Sequence, residues 1–540
     1  MKNHFCLVLH SHIPYVRKAG VWPFGEEWLL EGILETYMPL LQFFLKMRTQ
    51  YKGAAFTLGI TPVLAEQLDD DYFKARFIEY ADDRIRRARE DAARFSRSRQ
   101  NHLEDLARLY ERTFAERLES FKKIDGDIIG EIASLRKSGV VELITSAATH
   151  AYLPLLSRDS SVRAQIKTGI DSHTRRFGER PSGFWLPECA YRPAAIASRD
   201  DGNSGKALDE FLKEEGVEYF FVDTHAVEGG VTSVYADKTG QVVKPSNGST
   251  SLRAYKTRAG VKVLVRNREA GRLVWSSDMG YPGDGDYREF HKKDSISGLQ
   301  YWRITSKKTD MGAKEIYNPE AATRRSKVHA AHFKKVICDI FRKHSADSSD
   351  MGVVAPYDSE LYGHWWHEGI DWLDAVAGEM ASTEVGMSSV SSYLSGVKSY
   401  PEVDIPETSW GDGGGHYVWL NRETEWMWRM IHECELRMEG LLDARRQRSS
   451  GGIYVRALAQ AAREKLLLES SDWEFLVTTR QAREYGEKRF LSHYNRFSAL
   501  ASLLEKDKIN DEDARTLSAS FDADAIFPAI DPEVFAARRR

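Results

Sequence analysis

A chain of 540 residues that is 42% hydrophobic and 29% charged can bury a large core, which excludes disorder, collagen and a small disulfide scaffold as descriptions of the whole. Lysine plus arginine number 76 and aspartate plus glutamate 80, a formal charge of −4; that is too even for a dedicated nucleic-acid binder, so the expected partner is uncharged or small. The 13 Trp, 23 Tyr and 24 Phe need an explanation, because several tryptophans stand beside Gly, His and Asp and not inside apolar runs.

The N-terminus, MKNHFCLVLHSHIPYV, interrupts its apolar stretch with two histidines and a proline and offers no small-residue cleavage site, so it does not read as a signal peptide. No run is apolar for long enough to predict a membrane span. Cys6, Cys189, Cys338 and Cys434 are far apart and form no CxxC pair, which predicts reduced, buried thiols in a cytoplasmic protein.

Seven short apolar runs end in polar or chemically active residues, as parallel strands buried on both faces do. They are Phe5–Leu9 before His10 and His12, Ala54–Leu58 before Thr61, Val141–Thr145 before His150, Gly183–Pro187 before Glu188, Val217–Val222 before Asp223 and His225, Val261–Val265 before Arg266, and Val353–Tyr357 before Asp358. Polar groups gathering at strand C-termini predict an α/β barrel with its site in the βα loops. Between the second and third runs, Tyr72–Lys137 is charged and almost free of Gly and Pro, which predicts helices; acidic residues interleave its arginines, so the run reads as an ion-paired solvated face and not a nucleic-acid patch. Gly229–Ser251 reads as one long loop of the kind that forms lids. From about Glu423 the pattern is helical again, most clearly over Thr424–Arg446 and Val455–Leu468.

Glu188 in GFWLPECAYRP and Asp358 in VVAPYDSELYGHWWHEG are two carboxylates delivered by two strands of one sheet, each among aromatic residues. Glycoside cleavage needs such a pair, one to attack or stabilise the anomeric carbon and one to protonate the leaving oxygen. His10 and His12 alternate by two and so share one strand face; without HExxH or a cysteine at ligand spacing they read as hydroxyl or carboxylate partners, not metal ligands. The HWWH of His364–His367 reads as packing and loop structure. His150 follows a strand and either reaches the same pocket or simply starts a helix. SWGDGGGHYVWLN, residues 409–421, lacks GxGxxG and GxxxxGK[ST] and reads as a substrate-shaping loop carrying Trp410 and Trp419. Trp275 and Trp473, beside Ser and Asp, join them as expected stacking platforms for sugar rings.

LVLHSHIPYVR, ELITSAATHAYLPLL, GFWLPECAY, APYDSELYGHWWHEG and SWGDGGGHYVWLN, in this order, resemble the successive motifs of glycoside hydrolase family 57, most closely its 1,4-α-glucan branching enzymes, over residue 7 to about 480. The resemblance implies an incomplete TIM-like (β/α)₇ barrel from residues 1–70 and 138–400, a helical insertion over 71–137 and an all-helical C-terminal domain over 401–540. It implies Glu188 as nucleophile and Asp358 as general acid/base of a retaining mechanism. Tyr235 would be the loop-tip residue that favours transfer over hydrolysis. His10, His12, Trp28, Arg266, Trp275, Trp410, Trp419 and Asp472 match substrate subsites. The implied partner is an α-glucan such as amylose or glycogen, handled by a monomer without cofactor or metal. α-Amylase or 4-α-glucanotransferase activity on the same site, and glucan binding without turnover, remain alternatives.

Overall fold

The computed structural model describes residues 3–51, 53–195, 204–232, 241–243, 249–276, 278–344, 350–445, 452–506 and 510–537. The strands are β1 (His4–Ser11), β2 (Phe56–Ile60), β3 (Val141–Ser146), β4 (Gly183–Trp185), β5 (Tyr219–Val222), β6 (Gly230–Thr232), β7 (Gln241–Val243), β8 (Tyr255–Lys256), β9 (Lys262–Val265), β10 (Gly352–Asp358) and β11 (Gly386–Met387). Seven of them pair in parallel in the order β10-β1-β2-β3-β4-β5-β9, and these are the seven apolar runs, each shifted by a residue or two at most at its start. A parallel bridge between Arg266 and Val354, with the Asn267 N–H donating to the Val354 carbonyl at 2.8 Å, joins the two ends of the row. The sheet therefore closes into a seven-stranded barrel. The Gly229–Ser251 stretch is not simply a loop, because β6 and β7 pair antiparallel within it; Tyr235, between them in sequence, lies outside the described residues.

The pleat decides what faces the barrel axis. Successive side chains point to opposite faces of a strand: Phe5, Leu7 and Leu9 of β1 join the core beneath the surrounding helices, whereas Cys6 and Val8 pack with Ile144, Trp185, Tyr219, Phe221, Leu264 and Val354 inside. Val390, Tyr393 and Leu394 from the helix Val390–Gly396 belong to this inner cluster and close the barrel at the strands' N-terminal ends. The same alternation, continued to the C-terminal ends, turns His10, Ser146, Asp223, Arg266 and Asp358 inward. The candidate site residues thus gather at one mouth, while at the other end Glu142 accepts hydrogen bonds from Thr57, Tyr219 and Ser391.

Helices Asp71–Arg97 and Asn101–Lys123 form an antiparallel hairpin. Phe73, Phe77, Ala81, Ala88, Ala92 and Phe95, at helical spacing with Arg84 filling the step between the first two alanines, are buried against Leu106, Ala107, Tyr110, Phe114, Leu118 and Phe121. On the outer face Arg86 and Arg87 pair with Asp83, and Arg89 with Glu111. Arg84 departs from the expected solvated face, being buried with Glu27 and Glu31. Helix Ile128–Lys137 packs back against β3 and the barrel helices, so the projecting unit is the hairpin alone. A second excursion, residues 278–318, lies on this hairpin: Tyr301 donates to Asp91 at 2.8 Å, Tyr110 to the Gln300 carbonyl at 2.6 Å, and Arg94 pairs with Asp294 at 2.9 Å.

Helices Glu425–Arg445, Gly452–Leu468, Asp472–Thr479, Arg483–Leu504 and Asp511–Ala523 make the C-terminal part, with buried polar groups matched inside it, as between Lys465 and Glu469 or His493 and Glu464. Among the described residues no helix is long and apolar enough to cross a membrane. The loop after β10 makes the closest approach to the helical layer. Gly363, at φ 97°, lies so near the π-helical turn Ile33–Tyr37 that an added Cβ would stand 1.9 Å from the Glu35 carbonyl oxygen. Gly363→Ala should therefore cost roughly 3 kcal/mol through forced backbone displacement and left-handed strain, measurable as a lowered urea midpoint; an unchanged midpoint would show that the loop yields freely.

Candidate active site

β4 ends in a single tight turn, Pro187–Cys189, in which Glu188 adopts φ 62° and ψ 22°. A non-glycine residue in the left-handed region is uncommon and strained, and it persists only where its surroundings over-determine it. Here they do. The Cys189 N–H donates to the Leu186 carbonyl at 2.8 Å, and the Trp410 N–H donates to the Glu188 carbonyl at 2.9 Å. The Glu188 carboxylate accepts the Trp410 indole Nε1–H at 2.6 Å and the Ser471 hydroxyl at 3.4 Å. Burial raises its pKa to about 7, with Asp472 pushing the same way and the indole hydrogen bond and His12 opposing.

Asp358 ends β10 in register with His10 of β1. Among the described residues its carboxylate accepts no hydrogen bond, and burial pushes it well above the usual carboxylate range; the charges of Glu360 and Glu188 add to this and Arg266 opposes it. Arg266 is clamped by Asp223 through Nε at 3.0 Å and a terminal nitrogen at 2.7 Å, and its guanidinium lies 5.9 Å from the centre of the Trp410 ring. Burial of Asp223 is outweighed by His225 and Arg266, which hold its pKa down at about 2. The two central carboxylates thus differ in kind: Glu188 is supplied with donors to its charged form, and Asp358 is left with neighbours that favour its neutral form.

Three histidines form the floor beside Glu188. Burial pushes His10 and His150 well below the ordinary imidazole range, so both are neutral. One assignment of their protons satisfies the geometry: His10 Nε2–H donates to His150 Nε2 at 3.2 Å, His150 Nδ1–H to Ser471 Oγ at 3.1 Å, and the Ser471 hydroxyl to Glu188. This leaves His10 Nδ1 as an unprotonated ring nitrogen, and that buried atom has no partner among the described residues. His12 is the opposite case. Burial, the largest influence, disfavours its charge, but Asp472 at 3.0 Å, helped by Glu360 and Glu188, outweighs it and raises its pKa. Its other nitrogen meets Thr61 Oγ1 at 3.1 Å.

The structure therefore brings together Glu188, Asp358, His10, His12, His150, Arg266, Trp410 and Asp472 of the residues expected from sequence. Trp275 adjoins them, 38% exposed with its ring centre 6.1 Å from that of Trp410. Trp28 is half-buried between Phe24 and Tyr485 at the seam with the C-terminal helices. Trp419 is a correction: it is 1% exposed and stacked behind Tyr152 at 4.3 Å, so its ring is core and offers no face to a sugar. Trp473 is likewise fully buried. Sequence reasoning passed over Ser471, Asp223 as a clamp, and Glu360, which accepts the His12 N–H at 3.0 Å and the Tyr37 hydroxyl at 2.5 Å. Asp223 was within reach of strand parity; Ser471 carried no signal beyond its place next to Asp472.

Known proteins resemble this chain over nearly its whole length. A sequence model of glycosyl hydrolase family 57 matches residues 6–406, and one for the C-terminal region of 1,4-alpha-glucan branching enzymes matches residues 430–535. The chain belongs to glycosyl hydrolase family 57. It is 44% identical over 527 residues to a 1,4-alpha-glucan branching enzyme of Thermococcus kodakarensis, covering 96% of this chain and 76% of that protein. The crystal structure of a branching enzyme from that organism superposes with a TM-score of 0.91 at 40% identity, covering 100% of this chain and 97% of the other. The α-amylase AmyC of Thermotoga maritima superposes with a TM-score of 0.83 at 30% identity over 100% of both chains.

The His12–Asp472 pair should be visible in solution. By NMR the His12 ring should titrate above the ordinary imidazole range in the wild type and at distinctly lower pH in Asp472→Asn, where only Glu360 and Glu188 still oppose burial; identical titrations in the two proteins would sink the assignment.

Proposed function

We propose that this protein is a 1,4-α-glucan branching enzyme, cleaving an α-1,4-linked glucan with retention and transferring the freed chain to a 6-hydroxyl to make an α-1,6 branch. The observation that carries the reading is a carboxylate pair whose settings diverge, inside a site completed by a C-terminal part similar to that of branching enzymes. Glu188, charged and held by Trp410 and Ser471, attacks C1 of the donor glucose. Asp358, kept neutral, gives its proton to the departing oxygen, leaving a β-linked glucosyl ester on Glu188. Asp358, now ionised, takes the proton of an acceptor 6-hydroxyl, whose oxygen displaces Glu188 and restores the α configuration. The unprotonated Nδ1 of His10 is assigned to accept from a sugar hydroxyl, and His12, held by Asp472 and Thr61, lies beside it. Tyr235 is assigned to shielding the ester from water on the family resemblance. The glucans in view are amylose and glycogen, met in the cytoplasm by a monomer.

A second reading, α-amylase action, draws on the similarity to AmyC: water in place of the acceptor hydroxyl gives hydrolysis from the same intermediate. Incubation with amylose and quantification of linkages separates the two. New α-1,6 linkages with few new reducing ends are expected, and reducing ends alone would favour hydrolysis. Glu188→Gln and Asp358→Asn should each remove about 4 kcal/mol or more of transition-state stabilisation, several orders of magnitude in turnover; activity above about a tenth of wild type in either would remove that residue from its role.

The pH dependence follows from the protonation states required. Glu188 must be ionised, so kcat/KM should climb with pH through about 7; Asp358 must be protonated, so the rate should fall again on the alkaline side, through the raised pKa of that carboxyl. Trp410→Phe removes a donor to the charged form of Glu188 and should move the acid limb upward. A hydrogen bond to a charged group contributes about 1.5–3 kcal/mol, so activity at pH 6 should drop roughly tenfold more than activity at pH 8. Equal loss at both values would mean that the indole does not tune Glu188.

A further inference from the structure

Seven residues beyond Asp358, the loop after β10 turns Trp365 out to solvent, 47% exposed, while the adjacent Trp366 is 1% exposed. A single exposed aromatic is ordinary, but this one is mounted. The Trp365 N–H donates to the Glu360 carbonyl at 3.2 Å and the Trp366 N–H to the Leu361 carbonyl at 2.8 Å, and Gly363 closes the loop on the Trp366 carbonyl at 2.8 Å. Trp366 is sunk among Tyr287, Tyr362 and Trp372, with ring centres 5.4 to 5.9 Å away. Phe290 lies 4.3 Å from the Trp365 ring, tilted by 31°, and the His364 ring meets both edge-on at 5.2 and 5.3 Å. The rim is polar: Glu31 stands 3.8 Å from both Lys293 and His364. The result is a rigid aromatic face with hydrogen-bonding groups at its edge, the arrangement that suits the flat C–H surface and hydroxyl rim of a pyranose.

Glu360 links the face to the site. Glu360, whose carbonyl holds the Trp365 amide, receives the His12 N–H on its carboxylate, and seven residues of chain from Asp358 span at most about 25 Å. A polymeric substrate extends past the reacting bond, and its outlying units must lie on the rim formed by these loops. We propose that Trp365, backed by Phe290 and flanked by His364 and Glu31, is a stacking platform for a glucosyl unit of the α-glucan chain outside the catalytic cleft. The proposal rests on the glucan reading of the site and adds to it a place where chain length is sensed.

The test is a binding measurement in the Glu188→Gln background, so that nothing is consumed, with amylose and with maltotetraose as probes in titration calorimetry. Losing one stacked aromatic is worth a factor of about five to thirty, so Trp365→Ser should weaken amylose binding by that much while changing maltotetraose binding by less than about twofold. Trp365→Tyr, which keeps a ring at the same place, should recover most of the loss. Unchanged amylose binding in Trp365→Ser would overturn the platform, and so would an equal loss for both probes, which would mark a packing role or a face meant for another macromolecule. If the Glu188→Gln parent binds neither glucan, the glucan reading fails and the platform with it; if the parent binds both and Trp365→Ser changes nothing, the platform alone fails.

Discussion

The hydrogen bonds on the Glu188 carboxylate tie the molecule together. Trp410 and Ser471, which donate them, stand 222 and 283 residues further along the chain, one in the Gly-rich segment after the barrel and one at the head of a C-terminal helix. Glu188 occupies a left-handed conformation that an isolated strand end would not keep. Its backbone carbonyl is fastened to the same Trp410 that holds its side chain. The C-terminal helices are therefore part of the site. They deliver Ser471 to Glu188 and Asp472 to His12, and without them Glu188 would keep only the Trp410 donor and His12 would lose its nearest counter-charge.

The electrostatics of the floor depend on the same junction. Three imidazoles share a buried layer, with the His12 and His150 rings stacked at 4.0 Å. Three buried positive charges at such distances would be untenable. The structure resolves this by giving one histidine a carboxylate and leaving the other two neutral. Neutrality then does chemical service: a neutral His150 can donate through Nδ1 to Ser471 and accept from His10 through Nε2, so the chain of donors ends on Glu188 and favours its charged form.

What could be read from the sequence follows from what periodicity encodes. Strand runs and their polar ends are local patterns, so the seven barrel strands, the helical hairpin core and both catalytic candidates were legible before any coordinates. Burial of a single aromatic is a tertiary property. Trp410 and Trp419 sit in one Gly-rich segment with similar neighbours, yet one bonds Glu188 and the other is packed behind Tyr152. Gly411 separates them in space: a Cβ there would stand 2.7 Å from the Trp419 ring, so the glycines serve close packing of that ring as much as loop freedom. Ser471 and the 278–318 excursion were illegible for the same reason, since their partners lie hundreds of residues away or on an inserted hairpin.

The acid and base duties of Asp358 need its proton affinity to change between the two halves of the proposed reaction, and the site contains the means. Burial, Glu360 and the negative charge of Glu188 all raise its pKa, while Arg266 lowers it. When Glu188 becomes a glucosyl ester that negative charge disappears, but Arg266, fixed by Asp223, does not move. One raising influence is lost and the lowering one stays, so Asp358 becomes a weaker acid-holder at the step where it must have released its proton and act as base. Cleavage restores nothing until the acceptor displaces Glu188; the returning carboxylate then raises Asp358 again, which favours uptake of the acceptor's proton. The Asp223–Arg266 clamp keeps the lowering influence in place through both halves, so the change in the proton affinity of Asp358 follows the charge on Glu188.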